Sequence, residues 1–230
     1  FCTFIMLTEM KPTYGLLYIF ILSALHLNVF AQVAPTAQRS LPSWNNGHRE
    51  VRAANSVAPL IQTQWGPGCF YNAFCPVDTA AHASCLHVAA GPGAVAMAQI
   101  MKYYNFPEHG TGEHGYPHPV YGIQYANFGS ANYNWASMPP TLTTTNDALA
   151  TAIYHCGVSQ DMNFGTTTST SFPDNVDSAF VKYFGYPKVS NWKARAGFTQ
   201  SEWIALVKAE LDASHPLLLA DNHRRATKED

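Results

Sequence analysis

The cysteines and histidines of this chain are the side chains best suited to chemistry. A thiolate activated by a nearby imidazole attacks carbonyl groups, and the same two residue types bind zinc. Cys85 and His87 stand shortly before an apolar segment with helical periodicity, and His223 lies near the last residue of the sequence. These positions raise the hypothesis of a cysteine nucleophile with a histidine base, which depends on the elements that would bring the residues together.

Three of the histidines, His109, His114 and His118, are clustered in a segment without helical periodicity. Their spacing does not match a compact set of metal ligands, and few carboxylates stand beside them. We therefore expect surface loop histidines here, with no bound metal and no cofactor.

Three further cysteines suggest structural roles. Cys69 and Cys75 are close enough in sequence to close a small disulfide-bonded loop, although free or buried thiols are an equally good interpretation. Cys156 ends a helical segment, and we expect it in the core because free cysteine behaves as a small buried hydrophobe.

Hydrophobic periodicity and capping residues predict four helices. The first covers residues 92–104 and places Met97, Ile100, Met101 and Tyr104 on one face. The second covers 146–156 and ends at Gly157, and the third covers 174–184 and ends at Gly185.

The fourth helix follows a Thr199–Glu202 capping box, with Trp203, Leu206, Val207 and Leu211 on one stripe. Loops and short strands are expected over 116–135, and a buried strand is expected to begin at Pro216.

The first helical segment also carries a resemblance to a known family. Residues 91–104 read Gly-Pro-Gly-Ala-Val-Ala-Met-Ala-Gln-Ile-Met-Lys-Tyr-Tyr. This resembles the central helix of streptopain-like bacterial cysteine peptidases, Gly-Cys-Val-Ala-Thr-Ala-Met-Ala-Gln-Ile-Met-Lys-Tyr. The resemblance implies a papain-like α+β fold, with a helical half and a sheet half beside a cleft, and hydrolysis of peptide bonds. Further segments resemble the family and follow one another in the family's order. They lie at 57–60, 64–66, 71–72, 105–107, 110–112, 133–138, 156–159, 161–165, 183–186 and 210–216.

The family's nucleophilic cysteine aligns without a gap on Pro92. Proline has no ionisable group, and it also lacks the backbone N–H that the nucleophile residue would offer to an oxyanion. Proline is nevertheless well tolerated in the first turn of a helix. The resemblance therefore implies that the helix forms but that the chain is catalytically inactive.

Two residues are considered as substitutes for the missing catalytic groups. Cys85 is the nearest alternative nucleophile, although it would need a rearranged loop. His223 is the nearest alternative base, but it stands earlier than the family's Gly-His-Ala-Phe-Val histidine and no matching strand follows it. We interpret the mismatched blocks as a degenerate, C-terminally truncated copy of an active peptidase, produced by gene decay or reading-frame errors. The sheet half is then incomplete, and the three leucines at 217–219 are expected to be exposed.

The N-terminal residues resemble a secretion signal. Lys11 precedes an apolar run over 15–25, and Val29-Phe30-Ala31 offers small residues at the cleavage position, so we expect a signal peptide over 1–31. Met10 is the natural start, which makes 1–9 upstream translation. A membrane anchor is the alternative, but the apolar run is too short for a span.

The rest of the chain divides into a linker or pro-segment remnant over 32–56 and a peptidase domain over 57–230. The net charge of −2 gives no electrostatic footprint for nucleic acid, and we expect no stable membrane insertion after signal cleavage. The expected location is secreted, cell-surface or periplasmic, and the expected partner is a protein or peptide substrate. An exported peptide-binding protein without catalysis and a gene fragment without function are the alternatives.

Overall fold

Four α-helices and five strands make up the regular structure of the described part of the chain. The computed structural model describes residues 2–8, 57–187 and 190–222. The elements belong to one compact unit, Phe1–Thr8 with Pro59–Asp230, whereas a second unit, Glu9–Ala58, is described only at its last two residues. In chain order they are β1 (Cys2–Thr8), α1 (Pro92–Tyr104), β2 (Glu113–His118), β3 (Gly122–Asn127), α2 (Asp147–Ser159), α3 (Pro173–Phe184), β4 (Ser190–Ala194), α4 (Gln200–Asp212) and β5 (Leu218–Asn222).

Helix α1 has the bounds that the sequence predicts. Pro92 occupies the first helical turn, where its missing N–H would have no partner within the helix, and Gly91 is the N-cap residue. At the other end Asn105 adopts a left-handed conformation, and its N–H donates to carbonyls of the last turn. Met97 and Met101 are fully buried as expected, but Tyr104 remains 38% exposed.

Helix α2 begins after the expected cap, because the Asn146 side chain accepts a hydrogen bond from Leu149 N. The expected end at Gly157 is wrong, since the helix continues to Ser159. A Cβ at Gly157 would lie 3.2 Å from Phe164 Cζ, so the glycine allows close packing inside the helix rather than ending it.

The last two helices differ in how deeply they are buried. Helix α3 ends at Gly185 in the left-handed conformation, as predicted, and buries five side chains. The predicted Thr199–Glu202 capping box is present at the start of α4. However, α4 buries none of its residues fully, and its predicted apolar stripe from Trp203 to Leu211 is only partly covered.

The strands form two small antiparallel sheets. One has the order β4-β1-β5, and the other is the β2-β3 hairpin. Strand β1 lies within the segment expected to be a leader, yet here it pairs with both β4 and β5. Strand β5 begins at Leu218 rather than at Pro216, which as a proline cannot donate to the strand ladder. Of the leucines expected at the surface, Leu218 is instead 6% exposed, whereas Leu219 is 58% exposed.

The core packs α1 against α2, with α3 and a group of aromatic side chains beside them. The Phe128 ring centroid lies 4.5 Å from that of Tyr183 and 5.4 Å from that of Phe184, and Tyr133 is 1% exposed. Among the described residues no helix is long and apolar enough to cross a membrane. This core holds the body of α1 and leaves its first residue at the surface.

Candidate active site at the start of the first helix

The start of α1 presents a proline to solvent. Pro92 is exposed, and the first intrahelical bond is donated by Val95 N to Gly91 O at 3.2 Å. The N–H groups of Gly93 and Ala94 precede that bond, so they have no acceptor within the helix. Such groups stabilise negative charge, which is why a cysteine here would ionise readily.

Two glycines allow the helix start to lie close to the loop that follows α2. Gly91 has a φ of +88°, and a Cβ there would lie 2.7 Å from Met162 Sδ and 3.3 Å from Ser169 Cβ. At Gly93 a Cβ would lie 3.0 Å from Gln160 Oε1. The position of the helix start therefore depends on the absence of side chains on either side of Pro92.

The extended segment that leads into α1 is held by hydrogen bonds to two loops. Ala89 N donates to Gly165 O at 3.1 Å, and Ala90 N donates to Pro67 O at 2.9 Å. The hydroxyl of Ser169 donates to Ala89 O, and Gly165 N donates to Ser169 Oγ at 3.0 Å. These bonds satisfy the buried backbone beside the helix start and fix its direction.

A buried amide network lies beside Gly93. Gln160 is fully buried; its Nε2 donates to Cys156 O at 2.8 Å, and its Oε1 accepts from the Ser171 hydroxyl at 2.8 Å. Asn175 Nδ2 donates to Gln160 O at 2.9 Å. Gln160 is not among the residues predicted from the sequence, and it stands between the segments 156–159 and 161–165 that resemble the family.

A second buried amide, Asn72, organises the loop before the helix. It is 1% exposed, and its Nδ2 donates to the carbonyls of Ser84, His87 and Val88 at 2.9, 3.1 and 3.1 Å. Asn72 lies in the segment 71–72 that resembles the family, and this is the sequence signal that points to it. The amide ties residues 84–88 together just ahead of the helix start.

The structure pairs the cysteines differently from the expectation. Cys69 is bonded to Cys85, not to Cys75, and the two Cα atoms are 5.2 Å apart. The pairing follows from the loop around Asn72, which carries Cys75 into the core and returns Cys85 to Cys69. Cys85, the alternative nucleophile, therefore has no thiol in this state.

The two free cysteines with described side chains are both buried. Cys75 is 3% exposed and Cys156 is 0% exposed. Burial raises the pKa of the Cys75 thiol to about 12 and also raises the pKa of Cys156, because a thiolate is poorly solvated in the core. Neither group forms an appreciable thiolate at neutral pH, so neither is suited to act as a nucleophile.

The clustered histidines do not all lie on surface loops, so that expectation is wrong in part. His118 is 5% exposed at the end of β2 and stacks on Tyr121. Its Nδ1 accepts from the backbone N–H of Val120 and of Tyr121, so Nε2 carries the proton and donates to Asn163 Oδ1. His114 lies in the same strand.

The ring hydrogen bonds of the described histidines go to groups other than the helix start. His223, the alternative base, lies outside the described residues. Groups of three or more histidine, cysteine or acidic side chains that could hold a metal do not occur in the part that the structure describes. The bonds join His87 to Cys75 O, His109 to Ala131 O, His114 to Asp161, His118 to Asn163, His155 to Tyr133 and His215 to Glu210.

Comparison with known proteins identifies one family, that of the C10 cysteine peptidases. The model of the peptidase C10 family matches residues 65–228. Streptopain of Streptococcus pyogenes is 28% identical over 143 residues, which cover 57% of this chain and 36% of streptopain. The thiol protease/hemagglutinin PrtT of Porphyromonas gingivalis is 27% identical over 184 residues, covering 72% of this chain and 20% of that protein. The matched part thus spans 36% or less of the length of these relatives.

The solved structures that superpose on this chain are also cysteine proteases. Active wild-type interpain A, a cysteine protease of Prevotella intermedia, superposes with a TM-score of 0.62 at 29% identity, covering 69% of this chain and 67% of that chain. A prointerpain A fragment with a cysteine-to-alanine mutation gives a TM-score of 0.63 at 26% identity, covering 90% of this chain and 65% of that one. The expected papain-like α+β fold is confirmed.

Proposed function

Because the chain belongs to the peptidase C10 family, we propose that it is an exported protein with the cysteine peptidase fold that does not itself hydrolyse peptide bonds. The observation that carries this proposal is the exposed Pro92 at the start of α1. A cysteine peptidase needs a thiolate, a base beside it and N–H donors for the oxyanion. Pro92 supplies neither the thiolate nor the N–H of the nucleophile residue.

The other cysteines with described side chains offer no ready substitute. Cys85 is held in a disulfide, and the thiols of Cys75 and Cys156 are buried with raised pKa values. A nucleophile must be both ionised and accessible to a substrate carbonyl, and none of these three groups is. Proteins and peptides are the substrate class of the family, and we propose that this chain contacts them without turnover.

Export is supported by the sequence of the leader. Lys11 followed by the apolar run over 15–25 has the order of charged and apolar regions that signal peptides share. The Cys69–Cys85 disulfide suits an oxidising compartment. We therefore propose a secreted, cell-surface or periplasmic location.

Hydrolysis of casein and of a fluorogenic peptide, each with and without an alkylating reagent, tests the proposal. We expect no alkylation-sensitive hydrolysis by the purified protein. Thiol-dependent hydrolysis that disappears in Cys85→Ala would make Cys85 the nucleophile in a rearranged loop and would refute the proposal. Hydrolysis that persists in Cys85→Ala would refute it equally and would direct attention to the remaining cysteines.

A further inference from the structure

The face of α1 two to three turns beyond Pro92 borders a cavity that is about half open to solvent. Its volume is about 360 Å³, which is within the range of small-molecule sites. Residues 99–102 lie about 10 to 15 Å along the helix from residue 92, given the rise per residue. Leu60, Ile61 and Met138 contribute apolar surface to the cavity, and Thr63, Gln99 and Lys102 contribute polar groups.

The walls of this cavity are held in place by hydrogen bonds. Gln64 N donates to Pro140 O at 2.8 Å, and Trp65 Nε1 donates to Pro139 O at 2.8 Å. These bonds hold the segment after Thr63 against the segment after Met138. The cavity is therefore a preformed feature of the fold.

Lys102 is an ammonium group without a carboxylate partner among the described residues. Its Nζ donates to the carbonyl of Trp135 and, at 3.4 Å, to Asn105 Oδ1, both of which are neutral oxygens. Partial burial lowers the pKa of Lys102, as expected for a cation that lacks a counter-ion. Lys102 is only partly buried, and an anion bound in the cavity would give its ammonium group the charged partner that the described residues do not supply.

A second donor lies one helical turn away on the same face. Gln99 Oε1 accepts from the Thr63 hydroxyl at 2.8 Å, which fixes the orientation of the amide. The Gln99 Nε2 group has no hydrogen-bond acceptor in the described part of the chain, and the residue lines the same cavity. Residues three apart on a helix are neighbours, so this amide and the Lys102 ammonium are placed to bind one carboxylate together.

We propose that this cavity binds the carboxylate of an apolar acid, with the carboxylate on Lys102 and Gln99 and the apolar part against Leu60, Ile61 and Met138. Two sources share this chemistry: a medium-chain fatty acid, and the free C-terminus of a short peptide with apolar side chains. The site requires no catalysis at the helix start, so it is independent of the proposed lack of hydrolysis.

Matched acid and amide probes test the proposal on the full protein. Decanoate is compared with decanamide, and the free acid of acetyl-Leu-Phe with its amide, by isothermal titration. We expect at least one acid to bind saturably and its amide to bind roughly tenfold or more weakly, because a hydrogen bond to a charged group contributes more than one to a neutral group. The acid that binds more tightly identifies the source.

Variants then locate the binding to the cavity. Lys102→Met and Gln99→Leu should each weaken binding of the acid roughly tenfold. Lys102→Arg keeps the positive charge and should retain part of the affinity. Lys182→Met on α3, outside the cavity, is the matched control and should bind the acid as the parent does. Because Lys102→Met also loses the bond to Trp135 O, the fold of this variant is checked by circular dichroism. If Lys102→Met is unfolded, the affinity of Gln99→Leu decides whether the acid binds in the cavity. Absence of saturable binding by the parent, equal binding of acid and amide, or unchanged binding by folded variants would each overturn the proposal.

Discussion

The substitution Pro92→Cys tests whether the helix start still provides the electrostatic environment of a nucleophile. The new thiol would be exposed in the first turn of α1, next to the N–H groups of Gly93 and Ala94. A helix N-terminus stabilises a nearby anion by about 0.3–1 kcal/mol at an exposed position. Each pKa unit corresponds to about 1.36 kcal/mol, so the pKa of the new thiol should fall by about 0.2–0.7 units below its free value of about 8.5.

The buried cysteines of the same molecule serve as internal controls. At a pH of about 7.5, a thiol with a pKa near 8 is about one quarter ionised. Cys75, with a pKa of about 12, is ionised to only about three parts in 100,000 at that pH. Iodoacetamide should therefore modify the introduced thiol roughly several thousandfold faster than Cys75, since only the thiolate reacts.

Peptide mapping by mass spectrometry provides the assay, because it scores each cysteine, including Cys2, separately across a pH series. An introduced thiol with a pKa at or above about 8.5 would refute the electrostatic reasoning. Alkylation of Cys75 at a comparable rate in the folded protein would refute the burial argument. Peptide hydrolysis by Pro92→Cys would require a base positioned beside the new thiol as well as the thiol itself, so the alkylation rate and not peptidase activity is the readout of this variant.

Three further outcomes are expected. Cys69→Ser with Cys85→Ser should lower the free energy of unfolding in urea by about 3 kcal/mol, because the disulfide spans 16 residues and constrains the unfolded chain; an unchanged midpoint would contradict this. Burial lowers the pKa of His155 to about 4, so the unfolded state binds a proton on this ring more tightly than the folded state does. The free energy of unfolding that is present above about pH 6.5 should therefore decline by up to about 3 kcal/mol as the pH falls towards 4. His155→Gln should lack that part of the decline in acid denaturation, and equal slopes would contradict the assignment. N-terminal sequencing of exported protein should begin at Gln32, and recovery of the intact chain from the cytoplasm would count against export.

The elements of the helical half were predictable because local sequence determines them. Proline in the first turn and a periodic apolar face define α1, and Gly185 stops α3 because it adopts a left-handed conformation at low cost. The capping box at Thr199 is equally local. These features involve residues within a few positions of one another, so one sequence is enough to recognise them.

The features that were missed depend on contacts between distant residues. The Cys69–Cys85 pairing is set by the path of the loop around Asn72, and spacing alone could not distinguish it from a pairing with Cys75. His155 occupies a largely buried position on α2 because its ring has a hydrogen-bond partner in the Tyr133 hydroxyl at 2.8 Å. A polar residue on a buried face gives no sequence signal for the partner that satisfies it.

The proposed export and the three-stranded sheet are connected through β1. A chain that begins at Gln32 lacks β1, so β4 and β5 lose the strand that lies between them, and their backbone groups require other partners. The helix start does not depend on that strand. The groups packed closest to Gly91 belong to residues within 67–171. The hydrogen bonds of the segment that leads into Gly91 are made to residues in the same range. Signal cleavage should therefore reorganise the sheet while leaving Pro92 in the same environment, and the alkylation experiment should give the same pKa for the full chain and for the cleaved one.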